Sequence, residues 1–165
     1  MIVLGYDPGA ATGWSVVDCS KPAAPRLVSF GVADGAPEEL PVGAIGLVAV
    51  ETVVSVYSRE RFGAGMATAL VNAARIEGRI IEMAKRAGIA VVQCTAGDWR
   101  KALTGKRAPS DAEVKARLGL RLALPRCSAH VRDAVGVAIY CAERRRLEAI
   151  YCAERRRLEA MRGVT

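Results

Sequence analysis

Two short apolar runs parted by Pro8-Gly9 constrain this chain most. Ile2-Val3-Leu4-Gly5-Tyr6 ends on Asp7, and Thr12-Gly13-Trp14-Ser15-Val16-Val17 begins a second extended run. The first reads as a buried strand bounded by turn residues. A carboxylate at a strand end, beside glycines that let the backbone turn tightly, is suited to holding a metal ion or a phosphate. Acids at the ends of other elements therefore become candidate partners of Asp7.

The rest of the chain supplies the elements. Strands are expected at 2–7, 13–18 and 26–32, followed by a connection over 34–43 with a short helix after Pro37. Gly46-Leu47-Val48-Ala49-Val50 runs into Glu51 and is almost wholly apolar, the pattern of a strand covered on both faces. Residues 62–87 carry helical apolar spacing through Ala69, Ala73, Ile76, Ile80 and Met83, with Gly88 as the C-terminal stop. Residues 89–93 read as a fifth strand. Residues 94–110 read as a polar, basic loop containing Asp98-Trp99-Arg100-Lys101 and Thr104-Gly105-Lys106-Arg107. Ser110 and Glu113 form a capping box that opens a helix over 111–120. The sum is an α/β fold with a partly antiparallel sheet.

A last helix is expected from 129 to 160, and it contains a perfect repeat. Ile139 to Ala149 recurs without change as Ile150 to Ala160. At about 100° per residue the repeat makes three turns plus roughly 20°, so both copies present the same face. The second copy reads as an extension projecting past the core. Binding of nucleic acid through its Arg triplets, packing on a partner subunit and simple solvation all remain open for it. The chain accordingly divides into a domain over 1–142 and a helical extension over 143–165.

Charge is distributed unevenly. Residues 1–58 hold two bases against six acids, a net of −4, whereas residues 59–165 hold 22 bases against 11 acids, a net of +11. A basic portion joined to an acidic strand region fits a protein that grips a phosphate backbone and presents carboxylates to it. A hydrophobic content of 52% excludes a disordered chain. No stretch approaches the roughly 20 apolar residues that span a bilayer. The five cysteines show no CxxC spacing, which points to reduced thiols and a cytoplasmic location.

Asp7 and Glu51 both end predicted strands, and they meet at one sheet edge if those strands are parallel neighbours. Asp133 lies in the first turns of the last helix. His130, the only histidine, sits three residues earlier on the same helix face. Three carboxylates and an imidazole suit Mg²⁺ or Mn²⁺. Two such ions about 3.5–4 Å apart activate water and stabilise the leaving oxygen in phosphodiester hydrolysis.

These segments resemble a known family. Gly5-Tyr6-Asp7-Pro8-Gly9 with Thr12-Gly13, then Val48-Ala49-Val50-Glu51, then His130-Val131-Arg132-Asp133-Ala134 with Val137-Ala138 resemble, in order, three motifs of the RuvC-type Holliday junction resolvases of the RNase H-like superfamily. The resemblance covers most of residues 1–142. It implies a five-stranded mixed sheet flanked by helices, a homodimer, and paired nicking of a four-way DNA junction. It further implies two metals bridged by Asp7, with Glu51, His130 and Asp133 completing the shell. Arg100 stands where the family has a lysine; it keeps the charge but is a poor proton donor, and Lys101 or Lys106 could supply the lysine instead. The family's aromatic wedge is Val54 here, with Tyr57 the nearest aromatic.

The leading expectation is thus a metal-dependent, structure-selective endodeoxyribonuclease acting on four-way junctions. Arg59, Arg61, Arg100, Lys101, Lys106 and Arg107 are the expected contacts to the DNA backbone, and helix 62–87 is the expected dimer surface. Two other readings stay open: a related nuclease acting on structured RNA or hybrids, and a junction-binding protein that does not cut. The second draws on His130, which weakens the metal shell by one charge. A nucleotide-binding fold of the actin type would need a second domain, for which 165 residues leave no room.

Overall fold

The computed structural model describes residues 1–40, 43–52 and 64–162. Among these, five strands form one mixed sheet: β1 (Ile2–Asp7), β2 (Ala11–Asp18), β3 (Arg26–Asp34), β4 (Ile45–Glu51) and β5 (Val91–Cys94). Their order is β3-β2-β1-β4-β5. β1 pairs antiparallel with β2 and parallel with β4, and β4 pairs parallel with β5. Four helices accompany them: α1 (Ala64–Arg86), α2 (Ala96–Thr104), α3 (Asp111–Arg121) and α4 (Ala129–Arg162). The mixed α/β architecture expected from the sequence is the one observed. Among the described residues no helix is long and apolar enough to cross a membrane.

Strand alternation assigns the two faces. Val3, Val17, Leu47 and Ala49 point to one side, where they pack with Trp99, Val114, Leu118 and the α4 residues Val135, Ala138 and Cys141. Leu4, Tyr6, Val16, Val48 and Val50 point to the other, where they meet Ile80 and Ala84 of α1. Leu47 to Val50 are at most 1% exposed, as their unbroken apolar run requires of a central strand covered on both sides.

Several boundaries moved for local reasons. Gly88 ends α1 with φ at +68°. Ile89 N–H then donates to Ala84 C=O at 2.9 Å, and Gly88 N–H donates to Lys85 C=O at 3.0 Å. This helix-terminating motif takes up Ile89, so the strand expected from 89 starts at Val91. The short helix expected after Pro37 does not form over residues 38–40, which are bends and coil.

The larger correction concerns 94–110, expected as a loop. Residues 96–104 are helix α2, opened by a capping box. Thr95 Oγ1 accepts from Asp98 N–H at 3.1 Å, and Asp98 Oδ2 accepts from Thr95 N–H at 3.1 Å. Gly105, with φ at +74°, closes the helix. The capping box at Ser110 and Glu113 that opens α3 is present as expected.

α4 is 34 residues long, about 51 Å at 1.5 Å per residue. Its first half lies across β1, β2 and β4 and is buried from Val131 to Ala142, apart from Arg132 and Tyr140 at intermediate exposure. From Arg144 to Met161 every residue is exposed.

Candidate active site

The C-terminal ends of β1 and β4 lie side by side. Tyr6 stands opposite Val50 in the parallel ladder, so the next residues, Asp7 and Glu51, emerge at one edge of the sheet. The turn that follows β1 is pinned by Thr12. Its Oγ1 donates to Gly9 C=O at 2.9 Å and accepts from Gly9 N–H at 3.3 Å. β2 then returns along β1, with Gly13 opposite Asp7.

Two glycines let α4 cross this hairpin at close range. A Cβ at Gly13 would lie 2.2 Å from the backbone carbonyl atoms of His130, and one at Gly5 would lie 2.2 Å from Ala134 O. No side chain fits at those distances. The close approach brings His130 over the end of β1, where its Nδ1 lies 2.9 Å from Asp7 Oδ2. Asp133, one helical turn further along α4, is 9% exposed.

α2, which follows β5 in the chain and packs on α4, reaches the same edge. The Trp99 indole N–H donates to Glu51 Oε2 at 2.8 Å. Arg100 Nη2 donates to Asp133 Oδ2 at 2.5 Å, and its Nη1 to Asp111 Oδ1 at 3.2 Å. Arg132 adds a contact from Nε to Asp133 Oδ1 at 3.1 Å. The Arg100 guanidinium also lies 5.2 Å from the centroid of the Trp99 ring.

The electrostatics are those of crowded, half-buried acids. Burial raises the Asp7 carboxyl, its hydrogen bond to His130 works against that, and the charge of Asp133 adds to it. Glu51 rises from 4.5 to about 7, mainly through burial; the Trp99 hydrogen bond opposes the rise, while Asp7 and Asp133 add to it. Burial works against the Arg100 charge, but Asp133, Asp111 and Glu51 outweigh it and its pKa is raised. The acids thus feel one another, and arginine supplies the countercharge.

All four expected acid-site residues, Asp7, Glu51, His130 and Asp133, belong to this one edge. Among the described residues, however, no three His, Cys, Asp or Glu side chains converge tightly enough to enclose an ion as they stand. Their oxygens are held instead by His130, Trp99, Arg100 and Arg132. The chemistry of the set nonetheless fits a hard divalent cation: oxygen donors predominate, and acids raised by burial and mutual repulsion gain from an added positive charge.

The expected DNA contacts are more dispersed. Arg100 sits inside the acid cluster. Lys101 is exposed on α2, Lys106 pairs with Glu113, and Arg107 is exposed. Arg59, Arg61, Val54 and Tyr57 lie outside the described residues. The sequence reading gave Trp99 no role and left Asp111 and Arg132 out of the site. Trp99 was detectable through the Thr95/Asp98 capping box, which places it on a helix rather than in a loop. Nothing local marks Asp111 or Arg132. A recess of about 440 Å³ lies at the other end of the sheet, bordered by Met1, Cys19, Pro22, Pro25, Ile139 and Ala142. It is mostly apolar and remote from the acids.

No protein-family model matches the chain, and no curated protein matches it. Solved structures do. RuvC of Thermus thermophilus in complex with Holliday junction substrate aligns with a TM-score of 0.69 at 23% identity, covering 90% of this chain and 96% of that one. A second Thermus thermophilus RuvC structure aligns with a TM-score of 0.66 at 22% identity, covering 90% and 97%. The chain therefore has the RuvC fold, an RNase H-like mixed sheet flanked by helices, over nearly its whole length.

Proposed function

We propose that this chain is a metal-dependent endodeoxyribonuclease that resolves four-way DNA junctions by paired, symmetric phosphodiester cleavage. The observation that carries this reading is the meeting of Asp7, Glu51, His130 and Asp133 at one sheet edge of a RuvC fold. A neighbour in that fold is seen with Holliday junction substrate, which supports branched DNA as the partner here. Paired nicks about a two-fold axis call for a homodimer.

Asp7, Glu51, Asp133 and His130 would hold Mg²⁺ or Mn²⁺, two per site. When bound, the metal supplies Lewis acidity and a nucleophilic water at neutral pH. The chain's own residues set the stage for it. His130 orients Asp7. Arg100 and Arg132 neutralise Asp133 until a cation or a phosphate arrives. Arg100 keeps its charge at any physiological pH, so its part is to grip phosphate oxygens and not to donate a proton. Lys101, Lys106 and Arg107, with Arg59 and Arg61, supply backbone contacts whose strength falls with salt.

The test is cleavage of an end-labelled synthetic junction in Mg²⁺ or Mn²⁺, in competition with linear duplex, RNA–DNA hybrid and structured RNA. Selective junction nicking, lost in Asp7→Asn, is the expected result. Equal cutting of linear duplex overturns the selectivity, and normal cutting by Asp7→Asn overturns the site. One observation favours a second reading, a junction-binding protein that does not cut. An imidazole replaces one acid, and Arg100 already occupies Asp133. Tight junction binding without nicking across a range of both metals would decide for it.

A further inference from the structure

The Glu51 carboxylate is held from behind by a group that the sequence reading passed over. Trp99 is 1% exposed, and its indole N–H donates to Glu51 Oε2 at 2.8 Å. The ring fits only because Gly136 of α4 has no side chain. A Cβ there would stand 2.5 Å from Cζ3 and 2.6 Å from Cε3 of the indole. Three elements therefore meet at one hydrogen bond: β4 brings the acid, α2 the donor and α4 the cradle.

Geometry gives this bond a directing role. A glutamate head turns freely about its last torsion, whereas a packed indole donates one proton in one direction. Groups that hold a ligand's second atom commonly set metal affinity. Resting on the metal-site reading above, we infer that Trp99 is a positioning residue. Its indole N–H fixes Glu51 by Oε2 and leaves Oε1 as the oxygen offered to a divalent cation. Gly136 is part of the same device, because any larger residue there would evict the ring.

Trp99→Phe tests the idea, since it keeps an aromatic ring in the cradle and removes the donor. Mn²⁺ affinity is measured by calorimetry on DNA-free protein, with Glu51→Gln as the control that loses a ligand. The expected result is Mn²⁺ binding weakened about ten-fold or more in Trp99→Phe, with near-native thermal unfolding. The unaltered protein gives an independent reading. It has two tryptophans, so the ¹H–¹⁵N indole signal of Trp99 is assignable against Trp14. That signal is expected to move saturably as Mg²⁺ is added. Binding of Mn²⁺ by Trp99→Phe within about two-fold of the unaltered protein, against the ten-fold expected, overturns the inference alone. So does a Trp99 signal that stays still at saturating Mg²⁺. Failure of the unaltered protein to bind either metal overturns the site reading and this inference together.

Discussion

At the residue scale, Asp7 and Glu51 are kept from their ordinary ionisation by burial. Glu51, raised from 4.5 to about 7, holds a proton in the folded state that the unfolded chain has released. Its contribution to stability is therefore full below about pH 4.5 and is lost as pH climbs through about 7. Metal-free protein will lose stability over that window, by on the order of 3 kcal/mol at most, with Asp7 adding in the same direction. Glu51→Gln will flatten the loss. Thermal unfolding of chelator-treated protein at about pH 5 and about pH 8 checks the sign. Asp133 pairs with two guanidinium groups, those of Arg100 and Arg132, the latter only 11% exposed. Asp133→Ala leaves both guanidinium groups with only Asp111, whose side chain is 63% exposed, and will cost up to about 3 kcal/mol, read by urea unfolding. The four acid-site residues were legible in the sequence because each ends or opens an element. Arg132 and Asp111 were not, since an arginine beside an acid and an N-terminal helix aspartate look the same on any solvated surface.

At the element scale, the site depends on how near α4 comes to the β1–β2 hairpin. Gly13→Ala places a methyl against the His130 backbone, where nothing flexible can yield. It will destabilise the fold by about 1–3 kcal/mol or more and pull His130 off Asp7. His130 is the only histidine, so its imidazole resonances report the separation directly. Gly78→Ala is the control. A Cβ there meets nothing within 4 Å, so the change will be neutral or stabilising by about 0.5–1 kcal/mol. α2 teaches a different lesson. Its polar, basic composition disguised a helix whose apolar face is only Trp99, the one buried residue of the element, and the half-buried Leu103 one turn on. Periodicity over so short a stretch is a single i, i+4 pair, and the caps at Thr95 and Gly105 carry most of the signal.

At the scale of the whole molecule, one sequence repeat has two fates. In the first copy Ile139 is 3% exposed and Cys141 is buried, whereas in the second Ile150 is 56% exposed and Cys152 lies open to solvent. The opening residues of the repeat are core in one place and surface in the other, because α4 leaves the sheet within the first copy, from Arg144 onward. Removing residues 150–165 will change the unfolding free energy of the domain by less than about 0.5 kcal/mol, the range of surface changes. Denaturant unfolding of the shortened chain checks this. The sequence by itself determined the strands, the order of the acids and the phase of the long helix, since each follows from local periodicity, turn residues and caps. Only the tertiary structure decided that Trp99 and Arg100 join the acids, that arginines occupy the carboxylate oxygens, and that only the first copy of the repeat buries its opening residues. Those outcomes depend on which surfaces the sheet brings within reach, and no local pattern encodes a distance between elements far apart in the chain.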